Sequence, residues 1–187
     1  MYATEKGKVE VCEFLIEKGA DIHFKNNNGE NAIFIAGVNN RREAHNLLLK
    51  SGAVLQPNKD QWTPLGVALL IYKDFQAAKF LLEMGADIHE GNLRGAKLLN
   101  FCVVIGQDFK AGEFLLGNGF NIDDVDANGA TTLILAVMGK KTDAYRFLID
   151  QGADINMMDK NGKSPLFWAA FNSDTELCKY LIERGQM

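Results

Sequence analysis

The chain has 187 residues, a formal net charge of −4 and 47% hydrophobic residues, a composition that can supply a buried core. Because the charge is slightly acidic and no dense Lys/Arg run occurs, the sequence predicts no nucleic-acid partner. Apolar runs such as 65–72 and 98–105 are shorter than the roughly 20 residues that span a bilayer, so membrane insertion is not expected.

The cysteines and the start of the chain indicate a compartment. The first residues lack the basic and apolar stretches of a secretory signal. Cys12, Cys102 and Cys178 are odd in number, and each lies in an apolar helical pattern. We therefore expect buried, reduced thiols and a cytoplasmic location, with the nucleus left open.

A short phrase returns along the whole chain. Gly19-Ala20-Asp21-Ile22 is followed by variants of the same four residues, and their glycines lie 33 or 34 residues apart. A period of this length is typical of stacked supersecondary units rather than of one globule. The recurring glycines are Gly19, Gly52, Gly85, Gly119, Gly152 and Gly185.

In chain order, the period predicts one continuous array over 1–187. A partial unit comes first and five full units follow. The expected bounds are 1–25 for the partial unit and approximately 26–58, 59–91, 92–125, 126–158 and 159–187 for the full ones.

The last unit shows the predicted elements most clearly. Asp159-Lys160-Asn161-Gly162 is typical of a tight turn. Ser164 suits a helix N-cap and Pro165 the first helical position, which predicts a short first helix. A second helix is predicted from Thr175, with its apolar residues at helical spacing. Each unit is therefore expected to contain a turn and two helices.

These residues resemble the ankyrin repeat. Thr63-Pro64-Leu65 and Ser164-Pro165-Leu166, each followed by a small residue, a Leu-Leu-type pair and the Gly-Ala-Asp-Ile phrase, carry the resemblance over essentially the whole chain. The resemblance implies an all-α solenoid of antiparallel helix pairs with projecting β-turn loops. It also implies binding to other proteins through the loop tips and the first, inner helices.

The third full unit departs from the pattern. Lys97 replaces the capping Thr, Leu98 replaces Pro, and Gly112 lies inside the predicted second helix. A lost cap and an interior Gly each cost about 1 kcal/mol, so 93–117 is expected to be the softest segment. The second and third units also carry one extra residue between their helices. Neither terminal unit has a polar outer helix, which favours adjoining repeats or self-association at the ends.

The candidate binding residues follow from the resemblance, which points to the turn residues and to the exposed side of the first helix. The set is rich in aromatic residues, which are frequent anchors at protein interfaces. The predicted protein-binding residues are Asn28, Glu30, Val38, Lys59, Asp60, Trp62, Leu70, Tyr72, Arg94, Phe101, Val104, Asn128, Met138, Lys163, Trp168 and Phe171.

Catalytic and metal-binding signals are poor. His23 and His89 occupy equivalent positions two units apart, roughly 20 Å if each unit advances about 10 Å, which is too far for shared zinc ligation. No phosphate loop, Cys-x-x-Cys or nucleophile elbow occurs. We predict no enzyme activity, cofactor or metal.

Three functions stay open at this point. The sequence favours a non-enzymatic module that binds a protein partner through its concave face. A structural spacer or self-assembling segment is the first alternative. The second alternative is the substrate-recruiting region of a larger multidomain protein.

Overall fold

The computed structural model describes residues 1–88 and 98–185. Within these ranges the chain is helical, with twelve α-helices, one π-helical turn over Phe101–Ile105 and no strand beyond an isolated bridge between Val125 and Thr131. The helices are α1 Tyr2–Glu5, α2 Val9–Glu17, α3 Ala32–Val38, α4 Arg42–Lys50, α5 Pro64–Leu70, α6 Phe75–Glu83, α7 Leu98–Asn100, α8 Phe109–Gly117, α9 Thr132–Met138, α10 Thr142–Asp150, α11 Pro165–Phe171 and α12 Thr175–Gly185.

The chain forms two compact units, Met1–Arg94 and Gly95–Met187. The first unit contains α1 to α6 and the second contains α7 to α12. In each unit a short inner helix is followed by a longer outer helix, as the resemblance predicts. That the units form one continuous array stays a prediction.

Side-chain caps start the inner helices where the sequence predicts them. Asn31 Oδ1 accepts a hydrogen bond from the Phe34 N–H at 3.1 Å, and Thr63 Oγ1 accepts one from the Gly66 N–H at 3.1 Å. Such caps satisfy amides that the first helical turn leaves unpaired. Thr131 and Ser164 cap α9 and α11 in the same way.

The turns before the inner helices share one hydrogen-bond pattern. In each, an Asn or Asp carboxamide or carboxylate oxygen accepts from the backbone N–H groups two and four residues later, which closes the turn. These residues are Asn26, Asn58, Asp126 and Asp159.

Neighbouring turn tips are joined through their backbones. The Lys59 N–H donates to the Asn28 carbonyl at 2.8 Å in the first unit, and the Lys160 N–H donates to the Asn128 carbonyl at 3.0 Å in the second. Gly29 has φ +76°, and a Cβ there would lie 2.5 Å from the Lys59 nitrogen. Glycine is therefore required both by the turn and by the close approach.

Small residues lie at the centre of each inner helix. Ala36, Ala68, Cys102, Ala136 and Ala169 are all 0% exposed, whereas Ala3 in α1 is half-buried. The outer helices bury a leucine beneath them, which is at most 4% exposed in α4, α6, α8, α10 and α12. Burial of this apolar surface between helix pairs provides the main stabilisation of each unit.

The predicted extra residue is present in the second and third full repeats. The turn between the two helices contains one residue with positive φ. This residue is Asn40 in the first full repeat, nine residues after the Asn31 cap, and Lys73 in the second, ten residues after the Thr63 cap. The insertion is absorbed by hydrogen bonds that span five residues, from the Tyr72 N–H to the Val67 carbonyl and from the Gly106 N–H to the Phe101 carbonyl. π-type turns of this kind are frequent at functional sites.

Candidate protein-interaction surface

The tip residues of the first unit lie in solvent. Asn28, Lys59 and Asp60 are exposed, and their backbones are held by the turn hydrogen bonds. Glu30 is half-buried, and its carboxylate accepts a hydrogen bond from Asn26 Nδ2 at 2.8 Å. The first unit thus presents mixed polar groups on a rigid backbone.

Trp62 lies at the base of the second tip rather than freely in solvent. It is half-buried and packs against a cluster formed by Phe34, Val38 and Val67. Part of the ring therefore stabilises the contact between α3 and α5, and part is available to a partner.

Two predicted contact residues are corrected by the structure. Val38 is 5% exposed because Trp62 and Val67 cover it. Val104 is 7% exposed within the π-helical turn. The sequence pattern predicts both on the outward side of their helices. Val38 is instead covered by the next helix pair, and Val104 is turned inward by the inserted residue. Neither can contact a partner directly in this conformation.

The remaining inner-helix residues present apolar surface. Tyr72 is 57% exposed, Met138 43% and Phe171 71%, whereas Leu70, Phe101 and Trp168 are half-buried. Asn128 is exposed at its tip, and Lys163 is half-buried. Arg94 lies outside the described residues, as does His89.

Three exposed apolar residues lie outside the predicted binding set. Ile71, which follows α5, and Ile105, the last residue of the π-helical turn, are both 62% exposed. Phe167 is 43% exposed at the third residue after the Ser164 cap. The extra residue between the helices was the signal in the sequence that pointed to Ile71 and Ile105.

The second unit holds the densest group of aromatic rings. The Phe167 and Trp168 centroids lie 5.5 Å apart, and those of Trp168 and Phe171 lie 5.6 Å apart, both pairs edge to face. The Lys163 ammonium lies 5.2 Å from the Phe167 centroid and 4.9 Å from that of Trp168, a cation–π arrangement. The Trp168 indole N–H is buried and has no hydrogen-bond partner among the described residues.

The described residues form neither a metal-holding group nor a membrane-spanning helix. No group of three or more His, Cys, Asp or Glu side chains is placed to hold a metal ion in 1–88 and 98–185. Over the same ranges, no helix is long and apolar enough to cross a membrane.

Capped helix pairs, closed turns and backbone-joined tips together define a helical-repeat protein. The chain matches the sequence model of the family described as "Ankyrin repeats (3 copies)" over residues 1–92 and 99–187. The chain belongs to the ankyrin repeat family, whose members are typically non-enzymatic protein–protein interaction modules.

Solved structures share the fold at low sequence identity. An ankyrin repeat domain from Acinetobacter baumannii AYE has a TM-score of 0.69 and 24% identity, over 98% of this chain and 96% of that one. The ankyrin repeat protein EF0377 has a TM-score of 0.66 and 24% identity, over 97% and 94%.

A third similar structure contains two proteins. It is the complex of the Bd0816 predatory endopeptidase from Bdellovibrio bacteriovorus with the immunity protein Bd3460, with a TM-score of 0.63 and 22% identity over 97% of this chain and 95% of the matched one. At these identities the similarity shows the fold alone. No curated protein matches the chain.

Proposed function

We propose that this chain binds a protein partner through its turn tips and inner helices, without catalysis of its own. The observation that carries the proposal is the exposure of large apolar side chains at the inner-helix ends, with Tyr72 in the first unit and Phe171 in the second. In α5 the residues from Pro64 to Leu69 are buried, whereas α11 buries Pro165 and Ala169 and leaves Phe167 43% and Phe171 71% exposed.

The tips support the same function. Asn28, Lys59, Asp60 and Asn128 carry polar side chains on a backbone that the tip-to-tip hydrogen bonds fix. Apolar anchors surrounded by polar groups are the usual composition of protein interfaces. A preordered surface also binds with less loss of conformational entropy.

Family membership and the similar structures agree with this proposal. Ankyrin repeats are typically interaction modules, and one similar structure is itself a protein complex. The free cysteines of the described residues, two of them buried, support an intracellular, reducing environment as part of the proposal. Thiol titration of the protein purified without reductant would test that part.

The binding surface is tested by affinity capture from the native source with the whole chain. Because Trp62 and Trp168 are half-buried, the sharper variant is Tyr72→Ala with Phe171→Ala, whose side chains lie mostly in solvent. The matched control is Phe14→Ala with Leu49→Ala, which removes apolar side chains 56% and 45% exposed on outer helices. We expect the first pair to lose the partner and the control to retain it. Equal recovery with both would contradict the proposal.

Self-assembly is a second candidate with an observation of its own. Val11 is 48% exposed on α2, whereas Ala44 and Ala77, at the equivalent positions of α4 and α6, are 0% exposed against the preceding helix pair. Sedimentation of the whole chain over a concentration series distinguishes the two functions. A mass that rises with concentration and falls in a Val11→Glu variant would favour self-assembly.

A further inference from the structure

The inner helix of the last pair carries a continuous aromatic surface. We call Phe167, Trp168 and Phe171 the α11 aromatic patch. Phe167 and Phe171 lie nearly parallel, with centroids 6.4 Å apart and planes 12° apart, and Trp168 meets both edge to face. Mutual contact orders the three rings, so the patch is a rigid apolar surface rather than three independent side chains.

Part of the patch faces the side on which helix pairs stack. Phe34 and Ile134, at positions equivalent to Phe167, are at most 1% exposed because the next pair covers them. Phe171 is different, since Met138 at its position stays 43% exposed although α11 follows α9. Stacking therefore accounts for the position of Phe167, whereas Phe171 and the adjoining face of Trp168 lie on the inner-helix surface.

The charge beside the patch is positive. The Lys163 ammonium lies over two of its rings and makes no ion pair with any described residue. The nearby Asp159 carboxylate is already engaged, because its Oδ1 accepts hydrogen bonds from the Asn161 and Lys163 backbone N–H groups. A cation–π contact leaves ammonium N–H donors free for an acceptor outside the patch.

A second lysine lies toward the other end of α11. Lys140 is exposed and lines a surface cleft together with Asn172, the residue that follows Phe171, and with the acidic residues Asp174 and Glu176. The Asn172 Nδ2 donates to the Val137 carbonyl at 2.8 Å, which fixes the end of α11 against α9. The positive charge beside the aromatic patch is therefore that of Lys163, whereas the cleft at the other end of α11 is lined by one lysine and two carboxylates.

We propose that the α11 aromatic patch binds a segment of a partner protein that carries a large apolar side chain flanked by Asp or Glu. The apolar side chain packs on Phe171 and Trp168, and a carboxylate pairs with the Lys163 ammonium. A basic segment is disfavoured because it would meet the Lys163 ammonium, which lies over the Phe167 and Trp168 rings. The inference rests on the proposed function and names the class of partner at one of its sites.

The test is selection of short random peptides displayed on phage against the whole chain, followed by affinity measurement with synthesised peptides. We expect the enriched peptides to contain Asp or Glu within a few residues of Leu, Ile, Phe or Trp. Phe171→Ala should weaken their binding about tenfold, the loss typical of an interface anchor. Lys163→Glu should weaken acidic peptides about fivefold and improve their Lys-substituted versions.

The chain contains a matched control. Phe14 is 56% exposed on an outer helix, and the Lys18 ammonium lies 5.5 Å from its centroid. Phe14→Ala and Lys18→Glu therefore remove the same pair of chemical groups from another surface. We expect both variants to bind the enriched peptides as the unaltered chain does.

Three results would overturn the inference. The first is failure to enrich acidic peptides, and the second is binding that Phe171→Ala and Lys163→Glu leave unchanged. The third is self-association of the chain that Phe171→Ala abolishes, since a second copy would then occupy the patch. If capture of the native partner still depends on Tyr72 and Phe171, these results refute the acidic segment alone and leave the proposed function standing.

Discussion

Phe80 in the first unit and Phe147 in the second occupy the same position of their outer helices, yet they rest on different neighbours. The His45 ring meets Phe80 edge to face at 5.0 Å, and the Arg42 guanidinium lies 4.7 Å from the Phe80 centroid. At the equivalent positions the second unit has Gly112 and Phe109. Phe147 lies against Gly112 and 5.2 Å from the Phe109 ring.

The comparison shows how one position tolerates very different residues. A preceding helix can offer an imidazole and a guanidinium, or a glycine and a phenyl ring, because the aromatic ring of the next pair adapts to the space left. The consequences for stability differ. The first arrangement requires the buried His45 ring to stay neutral, and the second requires that Gly112 has no side chain.

The largest expected effect comes from a side chain added beneath Phe147. A Cβ at Gly112 would lie 2.6 Å from Val103 Cγ2 and 3.1 Å from Phe147 Cε1. We expect Gly112→Val to lower the free energy of unfolding by about 3 kcal/mol, since overpacking outweighs the gain in helix propensity.

Urea denaturation checks this prediction against Gly117→Val. Gly117 lies in the same helix and has no atom within 4 Å of its Cβ position. The control should change stability by less than about 0.5 kcal/mol. Equal effects at both positions would show that helix propensity, not packing, decides the cost.

The second effect is an acid sensitivity confined to the first unit. His45 is 0% exposed, neither ring nitrogen has a hydrogen-bond partner among the described residues, and burial lowers its pKa to about 4. The unfolded state therefore binds the proton more tightly, so stability is lost as pH falls from about 6.5 towards 4. At pH 5 the loss is about 2 kcal/mol relative to pH 7.

A His45→Leu variant isolates this contribution, because carboxylates also titrate in that range. Between pH 7 and 5 the wild-type chain should lose about 2 kcal/mol more stability than the variant, since only its unfolded state binds a proton at position 45. Parallel curves between pH 7 and 5 would show that His45 is protonated without penalty.

The smallest effect concerns the ion pair beside Phe80. Arg42 Nη1 and Glu83 Oε2 lie 2.8 Å apart, and both side chains are about half in solvent. A double-mutant cycle with Arg42→Met and Glu83→Gln should give a coupling free energy of about 0.5 kcal/mol that decreases in high salt. A salt-independent coupling would indicate that Phe80 shields the pair from solvent.

The sequence was sufficient for the helix pairs because the signals were local. Thr63-Pro64 and Ser164-Pro165 each contain a cap and a pre-set backbone, and both start the helices they predict. The repeat period of 33 or 34 residues predicted where the other helix pairs lie. The extra residue before Lys73 was also visible, since it changes a count along the chain.

Contacts between pairs could not be predicted in the same way. Val38 is buried because Trp62, 24 residues later, covers it, and no pattern within one repeat contains that information. Gly112 was interpreted as a weak point of α8, but the structure shows that it makes room for Val103 and Phe147. Whether 93–117 is the softest segment stays a prediction for amide exchange.

The backbone bonds between turn tips have a consequence for how such a surface changes. Because the Asn28 carbonyl and Lys59 N–H, not their side chains, set the distance between tips, side chains there can be exchanged without moving the frame. At Asn128 and Lys160 the same backbone bond is present, and the Lys160 ammonium adds a hydrogen bond to the Ala127 carbonyl at 2.7 Å. Recognition can therefore diverge one residue at a time while the fold stays constant, and a library restricted to tip residues would sample new partners on an unaltered scaffold.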